Sequence, residues 1–141
     1  MDVVIIANGL GNQMSQYAFY LQKKKLNANT RILFDRKSKH DHNGFELTKV
    51  FNIKYKENIE NYLLYFLFRL LGIKKHPAFT KPLIKIMNIF NIRLINEKEN
   101  YEFDDQMFKK SRGITFYYGG WHSEKYFSEI KNDVSEVFSF S

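Results

Sequence analysis

The chain has 141 residues and a mass of 16.9 kDa, which suffices for one domain with a sizeable core and is too short for two. Apolar residues make up 44% and charged residues 26%, as in globular and not in disordered proteins. The absence of cysteine excludes disulfides, a thiolate zinc site and a cysteine nucleophile. With 22 basic and 15 acidic residues the net charge is +7, which predicts an anionic partner.

The sequence shows no signal peptide and no membrane-spanning segment. Residues 1–7 carry an acid where a signal peptide has basic residues, and their apolar run is short. The most apolar stretch, 62–73, is about half of the ~20 residues that cross a bilayer, and Arg69 interrupts it. We therefore expect a cytoplasmic protein.

The predicted elements begin with a βαβ unit. Residues 3–7 form a continuous β-branched apolar run, typical of a strand buried on both faces. A turn at 8–11 follows, a helical pattern starts with Asn12 as its N-cap, and 31–35 form a second strand. The apolar stripe of the helix consists of Met14, Tyr17, Ala18 and Leu21. The opposite, polar side is predicted to hold Gln13, Gln16, Gln22, Lys23 and Lys24.

The sequence patterns of the remaining elements are weaker, but they continue the alternation of helices and strands. Residues 38–44 are a polar loop, and 45–53 have no clear pattern. Residues 58–71 form an apolar helix, and Pro82 lies near the start of another, with a stripe at Leu83, Ile86, Met87 and Phe90. The remaining predicted segments are a strand at 92–95, a loop at 96–110, a strand at 114–118 and a helix from Ser123 or Glu124 to Phe138. The fold class is therefore α/β, with a Rossmann-like parallel sheet flanked by helices.

The glycine turn is the strongest chemical signal. Gly9 and Gly11 lie between a buried strand and a helix start, where N–H groups and the helix dipole attract phosphate. Met14 stands where a Rossmann fingerprint has its third glycine, and no Gly-Lys-Ser/Thr of a P-loop follows. From spacing alone, a purely structural strand-to-helix turn is an equal alternative.

The amino-acid sequence of this turn and of the helix that follows it resembles a known family motif. Residues 9–19, Gly-Leu-Gly-Asn-Gln-Met-Ser-Gln-Tyr-Ala-Phe, strongly resemble the opening motif of the α-1,2-fucosyltransferase family, which usually has Phe at the place of Ser15. Residues 42–47 with 51–53, and residues 120–127, resemble two further segments of that family, which often has Gln at the place of His122. The resemblance covers essentially all 141 residues.

The resemblance implies a two-domain, GT-B-type glycosyltransferase. Members carry a downstream His-x-Arg-Arg-Gly-Asp-Tyr motif in a second half that holds most of the GDP-fucose site, and this sequence has no such motif. We therefore expect residues 1–141 to be the N-terminal Rossmann-like domain, without the C-terminal donor-binding domain and inactive, or nearly so, by itself. A non-catalytic glycan- or protein-binding remnant and a pseudogene product are the alternatives.

The implied reaction is inverting transfer of L-fucose from GDP-fucose to a galactoside hydroxyl, with no cofactor and no metal. By resemblance, the GDP-fucose side of the cleft is formed by Gly9, Gly11, Asn12 and Gln13. The acceptor hydroxyl needs a general base, and the available groups are Asp35, Glu46, His122 and Glu124. His122 and Glu124 are weak catalytic candidates because they lie in a matched segment after a strand, although surface charge is the commoner role of such residues.

Other partners are less well supported. His40 and His42 could chelate a metal, but no third ligand follows at a convincing spacing, so a polar loop is the better interpretation. Basic residues are scattered without a nucleic-acid-binding motif, so no nucleic acid is expected. The 62–73 helix is a core helix, a surface covered by the second half, or a peripheral contact with the inner face of the membrane, helped by Lys74 and Lys75.

Overall fold

The computed structural model describes residues 1–37, 44–72, 77–109 and 112–139. Four parallel strands form one sheet in the order β2-β1-β4-β3. They are β1 Asp2–Ile6, β2 Thr30–Phe34, β3 Ile92–Asn96 and β4 Ile114–Tyr118. The helices are α1 Leu10–Leu26, α2 Leu47–Val50, α3 Ile59–Gly72, α4 Pro77–Ile89 and α5 Lys131–Val137. Short 3₁₀ turns span Asp105–Phe108, Glu124–Tyr126 and Ser128–Ile130. The predicted α/β, Rossmann-like arrangement is confirmed.

The central strand explains the layering. All five residues of β1 are buried, and alternate side chains point to opposite faces of the sheet. Val4 and Ile6 pack on the face covered by α1, and Val3 and Ile5 pack on the face covered by α3. The chain therefore has an apolar core on each side of the sheet, as the unbroken apolar run predicts.

The core beneath α1 is largely aromatic. The Phe19 ring is stacked on Trp121 with centroids 4.3 Å apart, and Tyr126 meets both rings edge-on. Trp121 and Tyr126 follow β4, so this packing fixes the segment after β4 on the same face as α1. Two of the three segments that carry the sequence resemblance, residues 9–19 and 120–127, are thereby brought together.

Several predicted boundaries are wrong. Helix α1 begins at Leu10 with Gly9 as N-cap, not with Asn12, because the Gln13 N–H already donates to the Gly9 carbonyl at 3.0 Å. Helix α4 begins at Pro77, so Pro82 lies in its interior, with the ring on the exposed side. The final helical region is two 3₁₀ turns followed by α5, and the unassigned segment 45–53 contains α2.

The predicted polar side of α1 is also wrong, because most of it is buried. Of its five residues, four lie in the interior: Gln13, Gln16, Gln22 and Lys23. Lys23 forms an ion pair with the buried Asp2 of β1 at 3.5 Å and lies over the Tyr117 ring, 3.9 Å from its centroid. Gln16 binds backbone groups that follow β1 and β4, whereas Gln22 donates to the Glu129 carboxylate.

Candidate functional site

A cavity of about 450 Å³ opens at the carboxyl ends of β1, β4 and β3. We call it the cleft, and its lining residues are Asn8, Asn12, Asn96, Glu97, Tyr101, Tyr118, Gly119, Gly120 and His122. From β1 the chain moves to β2 on one side, whereas β4 and β3 lie on the other, so the strand order changes direction between β1 and β4. Ligands of open α/β sheets bind at this kind of point.

Two buried glutamines fix the walls of the cleft. Gln16 accepts the Ala7 N–H at 2.8 Å and donates to the Gly119 carbonyl at 2.9 Å, which joins the ends of β1 and β4. Gln13 donates to the carbonyls of Asn8 and Gly44, both at 2.8 Å, and accepts the Glu46 N–H. Gln13 is fully buried and lies behind the glycine turn, so it positions the turn from inside.

Three residues with left-handed backbone surround the cleft, one after each strand that borders it. Asn8 follows β1 with φ 68°, Tyr101 follows β3 with φ 56°, and Trp121 follows β4 with φ 54°. Left-handed dihedrals are costly for aromatic residues and cluster at functional sites. Buried packing holds Trp121 in this conformation.

Glu97 is the carboxylate of the cleft. It directly follows β3, and its Oε1 accepts the N–H groups of Gly120 and Trp121 at 3.1 and 3.2 Å. Its Oε2 is buried and has no hydrogen-bond partner among the described residues. The second oxygen therefore has unused acceptor capacity, although it is closed to solvent in this structure.

His122 is exposed, lines the cleft and lies beside the first turns of α1. Its Nδ1 is 2.9 Å from the Ser15 hydroxyl, which also donates to the Gly11 carbonyl at 3.2 Å. A Cβ at Gly120 would lie 2.6 Å from the imidazole, so the ring covers this glycine closely. The two positions at which the sequence departs from the fucosyltransferase motifs, 15 and 122, are therefore in contact.

Asn8 and Asn12, on either side of the glycine turn, line the cleft nearest β1, whereas Gly9, Gly11 and Gln13 are not among its lining residues. Gly9 is the N-cap of α1, no side chain caps the helix, and its first turn holds no acidic residue. A Cβ at Gly11 would meet no neighbouring atom within 4 Å, so the space beside it is open. Asn12 lines the cleft. The turn can present N–H groups and the Asn12 amide to an anion.

The cleft brings Asn12 and His122 together and leaves the other catalytic candidates apart. Glu124 is exposed in a 3₁₀ turn, and Glu46 precedes α2, and neither lines the cleft. Asp35 is buried after β2, where it accepts the Tyr65 hydroxyl at 3.0 Å. The described residues contain no group of three possible metal ligands, and His40 and His42 lie outside those residues, so the metal-free expectation stays a prediction.

The sequence interpretation missed several cleft residues. Glu97 and Tyr101 stood in a segment predicted as loop, and Tyr118 ends β4. Burial raises the pKa of the Tyr118 hydroxyl, and the Asp35 carboxylate raises it further, so this hydroxyl stays protonated at neutral pH and can donate a hydrogen bond. Their positions in the sequence could have identified them, because all three end or follow a parallel strand at the edge of the sheet where ligands bind.

Comparison with known proteins supports a glycosyltransferase relationship. The chain is 28% identical over 145 residues to an alpha-1,2-colitosyltransferase of Escherichia coli, in a match that covers 99% of the chain and 46% of the relative. The chain thus spans about half the length of the curated relative that it matches. No protein-family model and no solved structure matches the chain.

Proposed function

We propose that the chain contributes the cleft of a nucleotide-sugar-dependent glycosyltransferase of the α-1,2-fucosyltransferase type. The observation that carries the proposal is the position of Asn12, which belongs to the motif that the sequence resemblance singles out, on a cleft at the switch point of the sheet. The similarity to a glycosyltransferase over 99% of the chain supports it independently of the geometry.

In this proposal the donor diphosphate approaches the start of α1. The helix end has no side-chain cap and no acidic residue in its first turn. The open space beside Gly11 lets a phosphate approach the backbone, and the Asn12 amide donates a hydrogen bond. Such preorganised donors stabilise the charge that develops on a diphosphate leaving group.

The acceptor hydroxyl lies on the opposite wall of the cleft, at Glu97. In the reaction the hydroxyl oxygen forms a bond to the anomeric carbon, the bond to the diphosphate breaks, and the hydroxyl proton passes to a base. Glu97 is the proposed acceptor of that proton, because its side chain lines the cleft and two N–H groups at Oε1 fix its carboxylate. The unpaired Oε2 is buried, so this role requires the side chain or its surroundings to move when the acceptor binds. We assign the acceptor contact to Glu97 and the rim beside it to His122.

The transferred sugar is proposed to be L-fucose, given as GDP-fucose, and the acceptor a galactoside. The E. coli relative is named for transfer of colitose, which is L-fucose without one hydroxyl group. Both sugars therefore belong to one chemical class, and a donor test should include both nucleotide sugars.

Titration of the isotopically labelled chain with GDP-fucose, followed by amide NMR, tests the donor site. We expect the amides of Gly9, Gly11 and Asn12 to shift, and Asn12→Ala to weaken binding about 5- to 10-fold, the loss of one hydrogen bond. Asn29→Ala is the matched control, since Asn29 is exposed just beyond the other end of α1. Shifts elsewhere, or equal effects of both variants, would contradict the proposal. A parallel titration with GDP-colitose compares the two sugars.

A further inference from the structure

One surface of the molecule is apolar and faces solvent. Helix α3 packs on the sheet face opposite α1, and α4 contacts α3 and the edge strand β3. We call their exposed side, together with Phe90 directly after α4, the α3–α4 face, and its apolar members are Ile59, Leu63, Phe66, Ile86, Ile89 and Phe90. Leu63 and Phe66 are each 61% exposed and Ile89 is 76% exposed. Such large exposed side chains, clustered on one side, mark a contact surface.

The apolar side chains of this face are not misplaced core residues. The inward side of α3 is occupied by Leu64 and Phe68, and that of α4 by Met87, all of them buried. The exposed residues follow helical spacing on the other side of each helix, so both helices are apolar on two sides. One apolar side of each helix packs on the protein core, so the other side requires a second apolar environment to remove it from water.

The charge of the chain is concentrated in the same segment. Residues 61–96 contain six of the 22 basic residues and none of the 15 acidic ones, which leaves 16 basic against 15 acidic elsewhere. Nearly all of the net charge of +7 thus belongs to this segment. Lys81 and Lys85 are exposed, and their helical spacing places them on the outward side of α4 with Ile86 and Ile89.

We propose that the α3–α4 face binds the surface of an anionic phospholipid bilayer. Apolar side chains flanked by lysines are the signature of helices that lie in the plane of a membrane interface. The described residues include no helix long and apolar enough to span a bilayer. No residue of α3 or α4 lines the cleft, so docking by this face leaves the cleft open. The inference does not depend on the proposed reaction.

Vesicle flotation tests the docking. We expect the chain to float with vesicles of phosphatidylcholine containing about 30% phosphatidylglycerol at low salt, and much less with pure phosphatidylcholine or at high salt. Each basic side chain near an anionic surface strengthens binding about fivefold, so Lys81→Glu with Lys85→Glu should weaken it about 25-fold or more. Phe66→Gln with Ile89→Gln should also weaken binding, and it should leave the fold intact because both side chains are exposed.

The control variant carries the same change of charge on the other side of the sheet. Lys125 and Lys131 are exposed in segments on the α1 side. Lys125→Glu with Lys131→Glu should lower binding far less than the α4 pair. Equal losses for the two pairs, or equal flotation with both lipid mixtures, would overturn the proposal. So would a dimer in sedimentation equilibrium that Phe66→Gln with Ile89→Gln converts to a monomer, because the face would then bind a second copy.

Discussion

At the scale of single residues, the cleft combines one fixed carboxylate with one histidine. Glu97 is held by two backbone N–H groups, whereas His122 is exposed and held by one contact with Ser15. A catalytic or acceptor-binding group must keep its position while the ligand changes, which favours the more restrained side chain. The fucosyltransferase motifs also often have Gln at the place of His122, so the proposed chemistry does not require an imidazole there.

This difference predicts that substitution of Glu97 by its amide weakens acceptor binding strongly, whereas substitution of His122 by Gln changes it little. Glu97→Gln keeps an oxygen for the Gly120 and Trp121 N–H groups but replaces the unpaired carboxylate oxygen with a donor. Binding of a galactoside such as lactose, followed by NMR, should weaken about 10- to 100-fold, the range for a hydrogen bond to a charged group. His122→Gln should change it less than about threefold, because the Gln amide can still reach Ser15. A larger loss from His122→Gln than from Glu97→Gln would assign the acceptor contact to the histidine.

At the scale of elements, features set by neighbouring residues in the sequence were predicted correctly, whereas features set by tertiary contacts were not. The β1 run, the glycine turn and β4 were predictable, because each depends on residues that are adjacent in sequence. The burial of Gln13 and Gln16 was not, since periodicity places polar side chains outward, whereas here the Gln16 amide binds backbone groups after β1 and β4 and the Gln13 amide binds the Gly44 carbonyl. Glu97 was missed because its position depends on β3 pairing with β4, which no local pattern specifies.

The glycine turn allows a test that separates structure from function. Gly11 lies in the first turn of α1 beside open space, so Gly11→Ala should raise stability by about 0.5–1 kcal/mol through helix propensity. If phosphate approaches this backbone, the same methyl group should weaken GDP-fucose binding several-fold. Thermal melting and the NMR titration measure the two effects. Higher stability with unchanged binding would identify the turn as purely structural.

Gly119 provides the contrasting variant in the neighbouring element. A Cβ there would lie 2.5 Å from Glu97 Cβ and 3.2 Å from Trp121 Cε2. Gly119→Ala should therefore lower stability as well as binding, because the methyl group displaces packed atoms. The pair distinguishes a glycine required by packing from one whose open side faces a ligand.

At the scale of the whole molecule, buried ionisable groups determine the response to alkaline pH. Burial raises the pKa of five tyrosine hydroxyls above the ordinary value of about 10. They are Tyr17, Tyr55, Tyr65, Tyr118 and Tyr126. A raised pKa contributes stability that is present below the unfolded value and is lost as the pH rises through the folded value. Burial lowers the pKa of Lys23, so its deprotonation raises stability with increasing pH, but this is one group against five tyrosines.

We therefore expect the midpoint of thermal unfolding to fall by about 5 °C or more between pH 9 and pH 11, which corresponds to a change of about 1–2 kcal/mol for a chain of this size. Tyr17→Phe is the informative variant, because the described contacts of Tyr17 are with the rings of Tyr20 and Phe138, which Phe preserves. It should match the unchanged protein at pH 7 and melt at a higher temperature at pH 11. Parallel melting curves of the two proteins across this range would show that Tyr17 ionisation does not contribute. A rise in stability above pH 10 would show that deprotonation of the buried Lys23 ammonium outweighs ionisation of the tyrosines.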